Sequence, residues 1–257
     1  MTIERAPEHE RSTGARPTGI TTEQAAAANV QQMFDTIAPA YDRANHLLSA
    51  GIDHSWWTRT ARLFRPILQH PEAVTLDLCC GTGDMTMALL KHRPTTPEAA
   101  PILAVDFSHQ MLSLGQKKFA AQNVLPIEAD ALHLPLADAS VDLVTSAFGF
   151  RNLANYHDGL AEILRVLRPG GQLGILECNQ PEGLIGAIYN IYFKSILPRL
   201  GGLITGNQRA YSYLNASVER FPRPPRMIEL LRNAGFADAT WTGYTFGVVG
   251  LYHATKP

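Results

Sequence analysis

Short apolar runs alternate with amphipathic stretches through the middle of the chain, and this alternation limits the possible folds more than any other feature. Helical periodicity separates the runs at 85–92, 108–121 and 158–167. The apolar runs lie at 74–79, 102–106, 141–146 and 172–177, with a weaker run at 124–129. This order predicts an α/β fold with a doubly wound, mostly parallel sheet, whose ligands bind at the carboxyl ends of the strands.

The C-terminal residues predict a helix and an antiparallel hairpin that complete the sheet. The helix is expected at 227–234, closed by Gly235, and the two strands are expected at 237–244 and 246–253. Residues 181–225 lack the alternation of strand and helix, so they are predicted to form a helical insertion. We therefore expect residues 71–257 to form one domain that contains this insertion.

The N-terminal residues divide into a tail and a helical cap. Residues 1–20 mix Pro, Gly, hydroxyl and charged residues without apolar periodicity, which predicts a disordered tail. Residues 21–70 carry apolar residues at helical spacing, which predicts short helices broken near Pro39 and Gly51. This second region is expected to form a helical cap on the sheet domain.

Charge and cysteine content exclude several classes of protein. The 257 residues include 22 Lys and Arg against 23 Asp and Glu, so no overall basic field favours nucleic acid as a partner. The three cysteines do not suit a disulfide framework, because two are adjacent, and the histidines are too scattered for a zinc site. We therefore expect a protein without a metal. We also expect it to be cytoplasmic, because the N-terminus lacks the apolar stretch of a secretory signal.

A glycine-rich turn follows the first apolar run, where a parallel sheet binds its ligand. Gly81 and Gly83 lack a Cβ atom, so a ligand can approach the backbone closely, and Asp77 lies just before the turn. The dinucleotide fingerprint requires Gly or Ala at position 86, where this chain has Thr86, and the turn also lacks the Gly-Lys pair of a phosphate-binding loop. Both kinds of nucleotide-phosphate site are therefore disfavoured.

Acidic residues follow the next two runs and predict contacts to a nucleoside. Asp106 follows Gly83 at close to the spacing of about 20 residues at which a carboxylate meets ribose hydroxyls. Asp130 follows the third run, where a carboxylate can accept from the amino group of an adenine. These features suit S-adenosylmethionine, whose ammonium group Asp77 or Asp84 would favour. The alternative for each acid is structural, and Asp84 in particular could cap the helix that follows.

Two segments match a specific family pattern. Residues 41–56 are similar to YDxMNxxxSxxxHxxW, with Ala44 in place of the usual Met and Asp53 in place of the usual His. Residues 148–152 have the sequence FGFRN, which occurs in the same family.

Two further segments complete the match. Residues 165–179 are similar to RVLKPGGxLxxLExS, with Arg168 in place of Lys and Asn179 in place of Ser, although RVLxPGG is shared with many methyltransferases. Residues 211–222 add the fourth segment. From Gln31 to the C-terminus, the chain resembles the UbiE/MenG C-methyltransferases of quinone biosynthesis.

The resemblance implies the class I S-adenosylmethionine-dependent methyltransferase fold and a polyprenylated benzoquinol or naphthoquinol substrate. By position, it adds Thr82, Ala131 and Ser146 to the acids above as cofactor contacts. The complete set of predicted contacts to S-adenosylmethionine, the methyl donor, is Asp77, Gly81, Thr82, Gly83, Asp106, Asp130, Ala131 and Ser146.

Methylation of a quinol carbon requires a group that stabilises the phenolate, and residues 148–152 are expected beside the methyl donor. Arg151 is predicted to supply this positive charge or to order a water, and Asn152 to orient the ring. The alternative is a structural Arg151 that bridges a loop to a helix. Candidates for a proton relay, each with a structural alternative, are Tyr41, Asp42, His157 and Tyr213.

The preferred function is C-methylation of demethylmenaquinol to menaquinol. The first alternative is the benzoquinol of the ubiquinone pathway, and the second is a cofactor-binding protein of the same fold without turnover. A nicotinamide oxidoreductase is disfavoured by Thr86.

The apolar segment 184–200 is expected to form a lid or an interfacial surface that receives the polyprenyl tail. A core helix or a dimer contact are the alternatives, so an oligomer is left open. Trp56 and Trp57 could close the opposite side of the same pocket or simply pack. We expect transient contact with the inner face of the membrane.

Overall fold

Seven strands form one sheet in the part of the chain that this computed structural model describes, which is residues 14, 15, 17, 19–181, 183, 186, 189 and 208–257. The strands are β1 (Thr75–Leu78), β2 (Ile102–Asp106), β3 (Val124–Glu128), β4 (Val141–Ala147), β5 (Leu167–Cys178), β6 (Ala237–Tyr244) and β7 (Val249–Thr255). Their order is β3-β2-β1-β4-β5-β7-β6. All neighbours are parallel except the two pairs that β7 makes with β5 and β6. The predicted doubly wound sheet with a C-terminal hairpin is confirmed.

Helices cover both faces of this sheet. They are α1 (Glu23–Leu48), α2 (Asp53–Leu63), α3 (Arg65–Leu68), α4 (Asp84–Leu90), α5 (His109–Phe119), α6 (Tyr156–Val166), α7 (Gln208–Arg220) and α8 (Pro224–Asn233). Single turns of 3-10 helix lie at Phe150–Asn152 and Thr245–Gly247. Among the described residues, none of the helices combines the length and the apolar character that a bilayer span requires.

Successive strand residues point to opposite faces and fill two apolar layers. Val144 of β4 belongs to one buried cluster with Leu160 of α6 and Leu230 of α8. Its neighbour Leu143 belongs to the other cluster, with Leu89 of α4 and residues of α2. Because both faces are covered, the central strands β1, β2 and β4 are buried along almost their whole length, as expected for a parallel sheet.

The first helix differs from the prediction of short helices broken near Pro39. Thr22 caps α1 by accepting from the backbone of Ala25, and the helix then continues through Pro39 to Leu48. A proline inside a helix removes one backbone hydrogen bond. Ile37 and Ala38 are buried in a cluster that also holds residues of α5 and α7, and this packing offsets the lost bond. The predicted break near Gly51 is confirmed, since α1 ends before that residue and α2 begins after it.

Other differences concern the ends of elements. The predicted strand 246–253 begins instead at Val249, because the backbone of Thr245–Gly247 forms a 3-10 turn. At the N-terminus, the backbone N–H of Ala15 donates to the carbonyl of Leu153 at 2.7 Å, and Ala15 is buried. That residue is therefore packed on the domain, although most of the predicted disordered tail at 1–20 lies outside the described residues.

The predicted insertion at 181–225 is described only in part. Its C-terminal part forms α7. Most of the apolar segment 184–200, which we expect to be a lid or an interfacial surface, lies outside the described residues.

Candidate cofactor and substrate site

A cleft opens at the carboxyl edge of the strands, beneath α1. It contains about 1040 Å³ of empty space, which includes open solvent at its mouth. Polar residues that line it come from the ends of β1, β2 and β3, and its wider wall is apolar. The large apolar and aromatic lining residues include Phe34, Tyr41, Trp57, Met85, Phe107, Met111, Leu132, Phe148 and Leu153.

The glycine turn lies between β1 and α4. Gly81 and Gly83 have positive φ angles of 55° and 88°, a region that glycine occupies without strain. A Cβ atom at Gly83 would lie 2.3 Å from the Phe119 ring, whereas a Cβ atom at Gly81 would meet nothing within 4 Å. The backbone at Gly81 therefore faces open space in the cleft, as close approach of a ligand requires.

Asp77 is completely buried beneath this turn. Its carboxylate accepts hydrogen bonds from the hydroxyls of Thr86, at 2.5 Å, and Thr145, at 3.0 Å. Burial raises the pKa of Asp77 to about 7, although both hydroxyls favour the ionised form. Thr86, which departs from the dinucleotide fingerprint, thus has a structural role at the start of α4.

Asp106 lies next to the turn, at the end of β2. Its two carboxylate oxygens each accept from a backbone N–H at 2.8 Å, one from Gly81 and the other from Ser108. Burial raises the pKa of Asp106 to about 6, against the effect of these bonds. The acid predicted to meet ribose hydroxyls therefore also holds the glycine turn against β2.

Asp130 and Ala131 follow β3 and line the far end of the cleft. Asp130 Oδ1 accepts from the backbone of Leu132 at 2.9 Å, and the carboxylate is about half exposed. The glycine turn, Asp106 and Asp130 thus follow one another along the carboxyl edge. This arrangement fits an elongated nucleoside ligand that carries a charged group at one end and an adenine at the other.

Two of the predicted cofactor residues, Gly83 and Ser146, are not among the described residues that line the cleft. Ser146 is buried on β4, beside the thiol of Cys79. Cys79 itself lines the cleft and has a positive φ of 56°. Contact between Ser146 and a ligand therefore stays a prediction.

A polar network connects α1 to the glycine turn. The hydroxyl of Thr82 donates to Asp42 at 2.5 Å, and Lys118 Nζ lies 2.8 Å from Asp42 and 2.7 Å from Asp84. Burial lowers the pKa of Lys118, but both carboxylates raise it, so the net pKa is above its usual value. Asp84, considered above as a helix cap, makes an ion pair instead. Lys118 was not predictable from the sequence, because its partners are distant in the chain.

Arg151 lies behind the wall of the cleft. Its Nη1 donates to Glu177 Oε2 at 2.9 Å and to the carbonyl of Phe148, and its Nε donates to Ser217 Oγ at 3.3 Å. Arg151 and Glu177 are both buried, and Arg151 is not among the described residues that line the cleft. The guanidinium thus bridges a loop to β5 and α7, as in the structural alternative. The sequence does give a signal for Glu177, because an acid at the end of an apolar strand is expected to be buried and a buried acid needs a partner.

Asn152, the other predicted catalytic residue, does line the cleft. Its Oδ1 accepts from the hydroxyl of Tyr213 at 3.2 Å. Tyr41 lines the cleft as well, and burial raises its pKa to about 12. At neutral pH the Tyr41 hydroxyl is therefore protonated and can donate a hydrogen bond.

The match of the sequence to known families agrees with this geometry. A model of the ubiE/COQ5 methyltransferase family matches residues 21–256. The chain belongs to this family. The demethylmenaquinone methyltransferase of Deinococcus radiodurans is 44% identical over 230 residues, which cover 88% of this chain and 92% of that protein. The protein of the same name from Thermus thermophilus is 42% identical over 228 residues, which cover 88% and 100%.

Solved structures at less than 25% sequence identity resemble the chain in fold alone. A S-adenosylmethionine-dependent methyltransferase of Thermotoga maritima, described as a possible histamine N-methyltransferase, has a TM-score of 0.61 at 18% identity and covers 89% of this chain and 100% of that one. The cyclase SpnF has a TM-score of 0.63 at 17% identity and covers 95% and 99%. A cyclase with this fold illustrates that function must be argued from the site.

Proposed function

We propose that the chain transfers a methyl group from S-adenosylmethionine to a ring carbon of polyprenylated demethylmenaquinol, giving menaquinol. The observation that carries this proposal is the order of polar groups along the cleft. The open backbone at Gly81 and the carboxylates of Asp106 and Asp130 follow one another along the cleft, beside apolar lining residues. The name demethylmenaquinone methyltransferase, which three of the relatives share, supports the naphthoquinol ring.

The cofactor end of the cleft supplies binding and orientation. Asp106 would accept from the ribose hydroxyls and Asp130 from the adenine amino group, while Asp77 and the backbone at Gly81 would face the charged amino-acid end. When bound, S-adenosylmethionine supplies an electrophilic methyl group on a sulfonium. Since such a transfer needs little covalent help, the chain contributes mainly by holding the reacting atoms at about 3–3.5 Å.

The apolar wall would hold the quinol ring, with Asn152 and Tyr41 as its polar contacts. A quinol hydroxyl would lose its proton as the ring carbon takes the methyl group, and the electron pair of the broken carbon–sulfur bond would stay with the departing thioether. Loss of the hydrogen on the methylated carbon as a proton, with return of a proton to the oxygen, would then restore the aromatic quinol. Asn152 and the protonated Tyr41 can donate to the oxygen on which negative charge develops. Arg151 then acts as a positioning residue, because its bonds fix the turn that carries Asn152.

Two alternatives make different predictions. A benzoquinol of the ubiquinone pathway would fit the same polar contacts but lacks the second ring, and the names of the relatives favour the larger ring. A cofactor-binding protein without turnover would not need Asn152 and Tyr41 in the cleft. We further propose that the protein works in the cytoplasm and contacts the membrane transiently, where a polyprenylated quinol resides.

The experiment is transfer of labelled methyl from S-adenosylmethionine to reduced demethylmenaquinone and to the benzoquinol precursor, offered in parallel. We expect label mainly in the naphthoquinol. Asp106→Asn should weaken cofactor binding and transfer together, whereas the control Asp238→Asn, at an exposed acid of β6, should change neither. Label in the benzoquinol alone, or cofactor binding without transfer to either lipid, would reject the proposal.

A further inference from the structure

Several large apolar side chains are exposed at one end of the molecule. Phe246 is 80% exposed, Leu47 is 66% exposed and Ile52 is 44% exposed, and Trp56 lies half-buried beside them. Leu47 and Ile52 flank the turn between α1 and α2, and Phe246 lies in the turn between β6 and β7. We refer to these four residues as the apolar rim.

The two turns of the apolar rim are joined to each other. Trp56 Nε1 donates to the hydroxyl of Thr245 at 2.7 Å. Trp56 also follows Ile52 by one helical turn, so the two side chains share a face of α2. Leu47, Ile52, Trp56 and Phe246 therefore form part of one surface rather than isolated exposed residues.

The backbone at Phe246 is strained in a way that presents its ring to solvent. Thr245 and Phe246 have φ angles of 45° and 58°, followed by Gly247 at 85°. Such angles are unfavourable for a residue with a bulky side chain, and strain of this kind is often found at functional positions. The fold gains no core contact from an 80% exposed ring, so the benefit of Phe246 has to come from contact with something else.

The apolar rim continues into the cleft. The rings of Trp56 and Phe148 are 6.0 Å apart between centroids, and Phe148 lines the cleft together with Trp57. An apolar molecule bound at the rim would thus lie next to the ring of Phe148 at the wall of the cleft.

The outer face of α2 adds positive charge without exposed negative charge. Arg59 and Arg62 are exposed, and they follow Trp56 at about 4.5 and 9 Å along the helix axis. The acid of α2, Asp53, is buried and bonded to His46 and His54 at 2.7 and 3.0 Å. Apolar residues at the tip would reach the acyl chains of a membrane, and cations one to two helical turns behind them would lie at the level of the anionic headgroups.

We infer that the apolar rim is the surface by which the protein docks on an anionic bilayer, with the cleft mouth turned toward the lipid. The inference rests on the proposed function, because a polyprenylated quinol has to be taken from a bilayer. A second copy of the chain is a less suitable occupant. A two-fold contact through the rim would bring Arg59 and Arg62 of both copies together.

The test is flotation of the full chain with vesicles, without cofactor or substrate, using neutral phosphatidylcholine and mixtures with anionic phosphatidylglycerol. We expect binding that increases with anionic lipid. Phe246→Asn should weaken binding about tenfold, and it should not unfold the chain, since Asn tolerates a positive φ. Arg59→Gln should weaken binding about fivefold on anionic vesicles and little on neutral ones.

Matched controls lie on surfaces distant from the apolar rim. Leu125→Ser removes a 49% exposed apolar side chain on β3, the opposite edge of the sheet, and Arg226→Gln removes an exposed cation of α8. Both should float like the unchanged chain. Equal loss in the controls, or no vesicle binding by the unchanged chain, would overturn the inference. So would a dimer in solution that Phe246→Asn dissociates.

A second readout separates this inference from the proposed function. Methyl transfer to a short-tailed, water-soluble quinol should be unaffected by Phe246→Asn, whereas transfer to quinol in vesicles should fall with vesicle binding. If Phe246→Asn loses vesicle binding but still methylates both the water-soluble quinol and the quinol in vesicles at the unchanged rate, the docking surface is rejected and the proposed function stands. Vesicle binding without any transfer would reject the proposed function and leave the surface intact.

Discussion

At the scale of single residues, burial determines the chemistry of the carboxylates at the cleft. Asp77 and Asp106 lie in the same cofactor region, and burial raises their pKa values to about 7 and about 6. A carboxyl group whose pKa is raised by folding binds an extra proton in the folded state between its unfolded and folded pKa values. The contribution of these two groups to the free energy of unfolding therefore falls as pH rises from about 4 to about 7. Ionised buried carboxylates at the cleft thus lower the stability of the folded chain.

This raised pKa predicts how cofactor binding depends on pH. Since the ammonium and the ribose hydroxyls of S-adenosylmethionine favour the ionised carboxylates, affinity should increase about tenfold from about pH 5.5 to about pH 7.5. Titration calorimetry at several pH values measures this. Asp77→Asn should flatten the slope in part, and Asp238→Asn should leave it unchanged. A pH-independent affinity in the unchanged chain would show that these carboxylates do not ionise on binding.

The buried ion pair of Arg151 and Glu177 makes a second prediction. Arg151→Met leaves Glu177 buried without a cation, so the free energy of unfolding should fall by about 3–5 kcal/mol. The double variant Arg151→Met, Glu177→Gln should recover much of this loss. Arg226→Met, which breaks the exposed pair with Glu229, should cost about 0–1 kcal/mol. Chemical denaturation provides these values.

The same double variant tests the positioning role of Arg151. Because its bonds hold the turn that carries Asn152, the folded double variant should bind the cofactor normally and show a lower kcat. Unchanged kcat in the folded double variant would show that Arg151 does not position Asn152 for the reaction.

At the scale of elements, α1 covers the cofactor region and is held there by side-chain bonds. Gln31 donates to the carbonyl of Phe107 at 2.6 Å, Asp35 accepts from the hydroxyl of Ser108 at 2.6 Å, and Asp42 pairs with Lys118 at 2.8 Å. These partners lie on α5 or just before it. A ligand in the cofactor region is therefore enclosed by α1 and α5 together.

Loss of Lys118 should loosen this cover. Lys118→Met leaves Asp42 and Asp84 as neighbouring negative charges, so α1 should separate more often from the glycine turn. We expect faster hydrogen exchange in the second half of α1 and several-fold weaker cofactor binding. The control Lys117→Met changes an exposed lysine of the same helix. Equal exchange in both variants would show that Lys118 does not hold the cover.

The sequence predicts strands better than it predicts α1 or the side-chain network. Strand runs are recognisable because burial on both faces makes them continuously apolar, and the carboxyl edge follows from the α/β order. The continuity of α1 through Pro39 depends on packing against Met111 and Val218, which no local pattern reveals. The partners of Arg151 and Lys118 were not predictable for the same reason, since they are distant in the chain.

At the scale of the whole molecule, the cofactor region and the apolar rim lie at the two sides of one cleft. Polar strand ends form one side, and Phe148 and Trp56 lead to the exposed residues of α2 and the β6–β7 turn on the other. Under the proposed function, a water-soluble methyl donor and a lipid substrate would reach the same reacting centre from different directions. The glycine turn, its acids and the turn at 148–152 were predictable in position from the sequence. The exposure of Phe246 was not, since the sequence placed it within a strand.

The most direct test of the central claim is the position of the transferred methyl group. Purified protein would be given S-adenosylmethionine with a deuterated methyl group and reduced demethylmenaquinone, and the product examined by mass spectrometry and by reoxidation in air. We predict a deuterated methyl group on a ring carbon, in a product that still reoxidises to the quinone because both hydroxyls remain free. A methyl ether that no longer reoxidises, or an unlabelled lipid despite bound cofactor, would contradict the account.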